Sequence, residues 1–282
     1  MTTLAERLES GTYDGYAYSY PHKTAYRPFE PSLSLREAWR SEDRSKLFLY
    51  LHLPFCEMRC GFCNLFTTIR PSHDFVDATL RALEQQIEVT SREIEPERVA
   101  QAAVGGGTPS FLSESQLKRL FHVLADNWPV GLGRVPFSLE VSPATITPGK
   151  LALLRDLGVN RLSIGIQSFV EEDLRVFRRP LLGVDIEEVC GWIKETGFPV
   201  WNIDLIYGAE GQDAARWEKS LRSVVRWSPE EIYLYPLYVG PLTNLDRLNH
   251  RPGGHRRALY QQARSRLREA GYEQISMRLF RK

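Results

Sequence analysis

The regular alternation of short apolar segments with longer helical segments constrains the fold of this chain more than any other feature. From Lys46 onward, runs rich in β-branched or aromatic residues predict strands at 47–53, 99–105, 136–142, 161–167, 200–208 and 231–237. Helical patterns follow at 73–92, 114–126, 148–157, 170–178, 185–196, 213–226 and 254–270. This alternation is typical of βα units that build a parallel sheet. Six such units predict an α/β fold, an incomplete (β/α)6 barrel of the TIM type.

Short signals predict where several of these helices begin. Ser72 precedes the first long helix as an N-cap, and Ser113 followed by Gln116 has the spacing of a capping box. Thr147-Pro148 places proline at a first helical position, where its missing N–H costs nothing. These signals support the helix assignments independently of the apolar pattern.

The chain is long enough for one large domain with appendages. Residues 1–46 are rich in Tyr and Pro and predict an extended arm, and residues 47–270 predict the barrel. We expect residues 271–282 to start a C-terminal extension, in which the run at 271–280 resembles a seventh strand. Because this run stops abruptly at Arg281-Lys282, we expect a truncated C-terminal end.

Charge and hydropathy exclude several classes of protein. The chain has 36 Lys and Arg against 35 Asp and Glu, a formal net charge of +1, so its composition does not favour a nucleic-acid partner. It has no segment of eighteen apolar residues and no basic, apolar leader at its start, so we expect no membrane segment and a cytoplasmic location. Partners must therefore be inferred from sites.

Three of the four cysteines lie in one short loop after the first predicted strand, as Cys56-x3-Cys60-x2-Cys63. This layout suits a metal better than a disulfide framework. Three thiolates can hold a [4Fe-4S] cluster and leave one iron open to a small molecule. The alternatives are a zinc site with His52 as fourth ligand, and buried free cysteines. Cys190 lies on the apolar face of a helix and is predicted to be a core residue.

Glycines and polar residues occur where the predicted strands end. The run Gly105-Gly106-Gly107 lets a ligand approach the backbone closely. Glu140, Gln167 and Asp204 lie at or near the carboxyl ends of three strands, where a barrel collects its functional side chains. The alternative for each is an exposed polar residue of a turn. Together they predict one ligand site at the mouth of the barrel.

Five motifs in a fixed order extend this interpretation. They read Tyr50-x-His52-x-Pro54-Phe55-Cys56, Gly105-Gly106-Gly107-Thr108-Pro109-Ser110, Leu139-Glu140-Val-Ser-Pro143, Leu162-Ser163-Ile-Gly165-Ile-Gln167-Ser168-Phe169 and Asn202-Ile-Asp204-Leu-Ile-Tyr207-Gly208. With these motifs the chain resembles the radical S-adenosylmethionine (SAM) superfamily, and within it the oxygen-independent coproporphyrinogen III dehydrogenase-like (HemN-like) group, which also includes a haem chaperone and radical methylases. The resemblance runs from about residue 16 to residue 277.

The resemblance implies a radical SAM enzyme with a small-molecule substrate. Its cofactors would be a [4Fe-4S] cluster and one or two SAM molecules, and an electron donor such as flavodoxin or ferredoxin would be its partner. Cys56, Cys60 and Cys63 would be the catalytic cluster ligands. Eight residues would hold SAM, and they are Tyr50, Gly106, Gly107, Thr108, Glu140, Gln167, Arg179 and Asp204.

The chain also departs from the pattern of this group. The dehydrogenase has a further cysteine two residues after the third ligand, where this chain has Leu65. Gly208-Ala-Glu-Gly-Gln212 replaces the usual Gly-Leu-Pro-Gly-Gln. Oxidation, methyl transfer with two SAM molecules and haem delivery, with His22 or His52 as axial ligand, therefore all stay open. The arm at 16–24 resembles the family's N-terminal segment, which would contact a second SAM or an anionic substrate, or would be a plain surface arm.

Overall fold

The computed structural model of the chain describes residues 25–179, 183–240 and 243–282. The chain divides into two compact units, residues 1–42 and 43–282. The described part of the first unit contains one short helix, α1 (Leu35–Trp39), which a capping box of Ser34 and Glu37 begins. The predicted arm thus contains a helix, and its segment at 16–24, with His22, lies outside the described residues. The division at residues 46 and 270 stays a prediction.

The second unit is built on one parallel sheet. Its strands are β1 (Leu47–Leu53), β4 (Val99–Gly106), β5 (Phe137–Val141), β6 (Arg161–Gln167), β7 (Val200–Tyr207) and β8 (Glu231–Pro236). They lie side by side in chain order and every neighbouring pair is parallel. Two further strands, β2 (Phe55–Cys56) and β3 (Thr68–Ile69), pair in a separate small sheet. The predicted α/β fold with a partial TIM-type barrel is confirmed.

The helices alternate with these strands. In the second unit they are α2 (His73–Ile94), α3 (Glu114–Asn127), α4 (Pro148–Asp156), α5 (Glu171–Val176), α6 (Ile186–Thr196), α7 (Ala214–Trp227), α8 (Asn244–Arg247) and α9 (Arg256–Glu269). The predicted N-caps are present, because the hydroxyls of Ser72, Ser113 and Thr147 accept backbone N–H bonds from Phe75, Gln116 and Lys150. Within the described residues, none of the helices has the length and apolar character that crossing a membrane requires.

The C-terminal segment differs from the predicted single strand at 271–280. It forms a hairpin of β9 (Glu273–Gln274) and β10 (Leu279–Arg281), and β10 also pairs antiparallel with β8. The Ser276 hydroxyl accepts the N–H of Leu279 in the connecting turn. Arg281 secures the hairpin because its guanidinium lies 2.6 Å from the carboxylate of the buried Glu231.

The core lies between the helices and one face of the sheet. Strands in chain order with right-handed crossovers place all helices on the same side. The alternate residues that face this side are apolar and fully buried, as Leu139, Ile164 and Ile203 illustrate. The opposite, inner face carries mainly polar side chains at its centre, including Ser163 and Asp204. The functional groups predicted from the sequence therefore lie on the inner face and at the carboxyl ends of the strands.

Candidate active site

The cysteine loop is closed at its base by the small sheet of β2 and β3. Phe55 pairs with Thr68 and Cys56 with Ile69, and the Thr68 N–H donates to Pro54 O at 2.7 Å. The middle of the loop is tied to a distant segment, because the Gly61 N–H donates to Phe177 O at 2.8 Å. A Cβ on residue 61 would lie 2.9 Å from that same oxygen, so only glycine allows this approach.

The three cysteines of the loop face one cavity of about 320 Å³. Residues from the ends of several strands complete its wall together with Arg179, and they include Gly106, Gly107, Thr108, Ser142 and Gln167. The cavity therefore lies at the carboxyl ends of the parallel strands. This is where the barrel fold positions functional residues.

The thiols of this cavity influence one another. Burial raises the pKa of Cys56 and of Cys63, and repulsion from the neighbouring cysteines adds to the rise in both. The Thr108 hydroxyl lies 3.5 Å from the Cys56 Sγ and partly opposes the effect. This repulsion is in keeping with three thiols that line one cavity.

The glycine run is held against the strand that leads into the cysteine loop. The Gly107 N–H donates to Leu53 O and the Thr108 N–H donates to Phe55 O, both at 2.7 Å. A Cβ on Gly107 would lie 2.5 Å from Phe55 O and 2.9 Å from the Cys56 Sγ. Glycine is therefore required at this position, and it keeps the backbone at the cavity wall open to a ligand.

Arg179 enters the cavity after α5. Its guanidinium donates to the Cys60 Sγ at 2.9 Å, to Gly165 O at 2.9 Å and to the Ser142 hydroxyl at 3.2 Å. Among the described residues, none is a hydrogen-bond partner of its buried Nε. The adjacent Arg178 is exposed instead. Of these two neighbouring arginines, only Arg179 lines the cavity.

Gln167 occupies the last position of β6 in a left-handed conformation, with φ of 71°. The pairing of β6 with β7 shifts register between Gly165 and Gln167. A Cβ on Gly165 would lie 2.6 Å from the Gln167 side-chain nitrogen. The irregular strand end and the glycine together turn the Gln167 amide into the cavity wall.

Two carboxyl groups lie next to this cavity on the inner face. The Glu140 carboxylate accepts the Gly106 N–H at 3.2 Å, although part of its side chain stays open to solvent. Loss of water around the group raises the pKa of Glu140 to about 7, and the charge of Asp204 contributes to the rise. The same loss of water raises the pKa of Asp204 to about 6, while hydrogen bonds from Asn202 and Ser163 oppose it.

Tyr50 lies beside the carboxyl pair rather than in the cysteine cavity. Its hydroxyl is 3.3 Å from His52 Nδ1, and a Cβ on Gly105 would lie 3.0 Å from both the Tyr50 hydroxyl and the Glu140 carboxylate. The pKa of Tyr50 is raised, mainly because burial removes water from its hydroxyl group. The predicted residues thus form two adjoining groups, one around the cysteines and one around Glu140, Asp204 and Tyr50.

The donor set fits an iron–sulfur cluster better than a single metal ion. Within the described ranges, no three His, Cys, Asp or Glu side chains converge closely enough to hold one metal ion. His52, the fourth ligand of the zinc alternative, is directed toward Gly106 and does not line the cysteine cavity. A cluster of four irons is wider than one ion, so its cysteines need to share a cavity wall without meeting at a point. The buried Arg179 Nε, which no described residue bonds, also suits an anionic ligand beside the thiols.

Sequence reasoning missed three residues that shape this site. Ser142 belongs to the motif that begins at Leu139, but the sequence assigned it no role. Its hydroxyl accepts a hydrogen bond from Arg179. Lys150 donates to the carbonyls of Ser110 and Thr145, both at 2.8 Å, and so joins the loops that follow β4 and β5. Asp173 is buried in a further polar network. Cys190 is fully buried in α6, as predicted.

Comparison with known proteins agrees with this geometry. The sequence pattern of the Radical SAM superfamily matches residues 50–224. The oxygen-independent coproporphyrinogen III oxidase of Synechocystis is 30% identical over 83% of this chain and 53% of its own length. The heme chaperone HemW of Bacillus subtilis is 31% identical over 83% of this chain and 63% of its own length. The chain spans about half to two thirds of the length of these relatives.

A solved structure shares the fold over nearly the whole chain. The coproporphyrinogen III oxidase HemN of Escherichia coli, described as a radical SAM enzyme, has a TM-score of 0.84 and 28% identity, and the match covers 95% of this chain and 63% of that one. Sequence pattern, relatives and fold therefore agree with the resemblance that the motifs predicted. The chain belongs to the radical SAM superfamily and is a HemN-like member of it.

Proposed function

We propose that this chain cleaves SAM reductively at a [4Fe-4S] cluster held by Cys56, Cys60 and Cys63, and that it modifies a small organic substrate as a HemN-like oxidoreductase. One observation carries the proposal, namely that the three thiols and Arg179 line the same cavity. When bound, the cluster supplies the electron that splits SAM into methionine and a 5′-deoxyadenosyl radical, which abstracts hydrogen from the substrate.

The cysteines and Arg179 would divide the binding of these cofactors. The three thiolates would hold the cluster and leave it one open position for the amino and carboxylate groups of SAM. The Arg179 guanidinium is always charged and offers several donors in one plane, so it suits the SAM carboxylate. Gly106 and Gly107 expose backbone groups at the same wall, and Thr108 keeps the Cys56 thiol in place.

The second group of residues would hold the nucleoside end of SAM. Glu140 and Asp204, once ionised, can accept hydrogen bonds from the ribose hydroxyls. Tyr50 stands next to Glu140. Gln167 would add a neutral donor and acceptor from the wall of the cysteine cavity. The protein thereby orients SAM along the strand ends and keeps water away from the reacting bond.

The partners follow from this chemistry. A flavodoxin or a ferredoxin would supply the electron, and a reducing cytoplasm would keep the three thiols available for the cluster. A small molecule would be the substrate, and neither nucleic acid nor a membrane would take part.

Anaerobic reconstitution with iron and sulfide, followed by dithionite and SAM, tests the proposal directly. We expect 5′-deoxyadenosine and methionine by chromatography, and we expect the Cys60→Ala variant to form neither. Cys190→Ala is the matched control, because this cysteine is fully buried in α6 and does not line the cavity. S-adenosylhomocysteine among the products would identify methyl transfer with a second SAM molecule. A loaded cluster that leaves SAM intact would contradict the proposal.

A haem chaperone is the second candidate function, and the similarity to HemW of Bacillus subtilis favours it. In that case the chain would bind haem and keep its cluster without turning over a substrate. Titration with haem distinguishes the two, because a chaperone should give a saturable Soret band at one haem per chain. Of the two candidate axial ligands, His52 lies within the described residues. If it binds the haem iron, His52→Ala should shift the Soret band, because one axial ligand is lost.

A further inference from the structure

A buried carboxylate outside the cavity lies at the centre of a polar network. Asp173 of α5 is 0% exposed. Its Oδ2 accepts from the Ser168 hydroxyl at 3.0 Å and from the Gln212 amide at 2.8 Å, and its Oδ1 accepts from the Arg216 guanidinium at 2.5 Å. A carboxylate buried without such partners would carry a large desolvation penalty. The three donors therefore explain why the side chain tolerates burial.

These donors come from separate parts of the fold. Ser168 follows β6, Gln212 belongs to the loop after β7, and Arg216 lies in the first turn of α7. The Gln212 Oε1 accepts the N–H of Gly208, the first residue after β7, at 2.7 Å. Asp173 thus joins two neighbouring loops at the carboxyl edge of the sheet.

The helix that carries Asp173 also reaches the cysteine cavity at its other end. α5 has six residues, too few to be stable without tertiary contacts. Just after it, Phe177 O accepts the Gly61 N–H of the cysteine loop at 2.8 Å. The Arg179 N–H donates to Leu174 O at 2.9 Å, and the Arg179 guanidinium reaches the Cys60 Sγ. The orientation of α5 therefore determines where Arg179 and the cysteine loop lie.

Asp173 does not line the cavity, so its influence on the site is indirect. We propose that Asp173 is a positioning residue that, by holding α5 against the loops after β6 and β7, sets the orientation of the Arg179 guanidinium toward SAM. This inference rests on the proposed function, which assigns Arg179 to the SAM carboxylate. It adds a residue that neither touches SAM nor binds the cluster.

The Asp173→Asn variant tests the inference, because it keeps the side-chain shape and removes the charge that faces Arg216. We expect iron and sulfide contents after reconstitution to match the wild type, since the cysteines are unchanged. The Kd for SAM should rise on the order of tenfold, the usual effect of removing a group that orients a ligand-binding side chain. Equilibrium dialysis measures this Kd, and the change of the reduced cluster's EPR spectrum on addition of SAM provides a second readout.

Two further variants control for an effect on folding alone. Glu171→Gln removes a carboxylate from the same helix, but its partner Arg175, at 2.6 Å, and Glu171 itself are 67% and 74% exposed, so SAM binding should not change. Arg216→Lys keeps a cation beside Asp173 and loses only the planar donor geometry. It should raise the Kd for SAM less than Asp173→Asn does, and it serves as the test if Asp173→Asn does not fold.

The outcomes separate the two proposals. Wild-type SAM affinity and an unchanged EPR response in cluster-loaded Asp173→Asn would overturn the positioning role, even if the unfolding midpoint falls. If the wild-type chain itself neither loads a cluster nor binds SAM, the proposed function fails, and the inference fails with it. Weaker SAM binding with full cluster content, seen in Asp173→Asn but not in Glu171→Gln, supports both.

Discussion

Ile203 and Asp204 follow each other on β7 but point to opposite faces of the sheet. Ile203 faces the helices and is fully buried among apolar side chains. Asp204 faces the inner side, where loss of water raises its pKa to about 6. The outer face gains stability from burial, whereas the inner face keeps groups whose charged forms the fold disfavours. Groups with perturbed pKa values of this kind are expected where a protein binds a ligand, even though their ionisation lowers the stability of the fold.

The largest effect should come from the outer face. Ile203→Ala should lower the free energy of unfolding by about 3 kcal/mol, because the buried side chain leaves a cavity. Urea denaturation measures the loss, and Ile203→Val, which should cost about 1 kcal/mol, is the graded control. The folded fraction of Ile203→Ala should still bind SAM with wild-type affinity. If Ile203→Ala weakened SAM binding as much as Glu140→Gln or Asp204→Asn on the inner face, the two faces would not have separate roles.

Substitutions on the inner face should have the reverse pattern. Glu140→Gln and Asp204→Asn should each weaken SAM binding by about 1.5 kcal/mol, roughly tenfold, because a hydrogen bond to a charged acceptor is lost. Above about pH 7 their free energies of unfolding should exceed that of the wild type, since the folded chain no longer holds a disfavoured charge. Equilibrium dialysis with SAM and urea denaturation give the two quantities. Unchanged SAM affinity in both variants would remove the carboxyl pair from the proposed site.

A third effect should be a pH dependence of stability that originates on the inner face. The pKa values of Glu140 and Asp204 in the folded chain, about 7 and about 6, lie above those of an unfolded chain, which are about 4. Protons therefore bind the folded state more tightly. The stabilisation by this pair is complete below pH about 4 and is lost as the pH rises through about 6 and about 7.

Urea denaturation at a series of pH values measures this dependence. The wild type should lose stability relative to the Glu140→Gln/Asp204→Asn double variant as the pH rises from about 4 to about 8. Ile203→Val, which changes only the outer face, should keep the wild-type slope. If the free energies of unfolding of the wild type and the double variant changed in parallel with pH, ionisation of Glu140 and Asp204 would not destabilise the fold.

The sequence predicted the outer face well because burial leaves a periodic pattern. Two of the six parallel strands, at 47–53 and 161–167, have the predicted bounds, and the others differ by a residue or two. The run at 271–280 has a similar apolar pattern, and there the prediction was wrong. Its last residues pair antiparallel with β8 while Glu273 and Gln274 fold back, so a turn replaces the middle of the predicted strand. That outcome depends on the free edge of β8, which no local pattern contains.

By itself, the sequence determined the α/β class, the loop with three cysteines and the polar residues at the strand ends, because each depends on spacing along the chain. Only the tertiary structure decided that the Arg179 guanidinium reaches the Cys60 thiol and that Asp173 is buried. In the sequence, Glu171-Glu172-Asp173 looks like three acidic residues at a helix start, where the helix dipole favours them. The partners of Asp173 come from residues up to 43 positions away. Contacts of that kind form only when loops from different strands meet, so local sequence carries no sign of them.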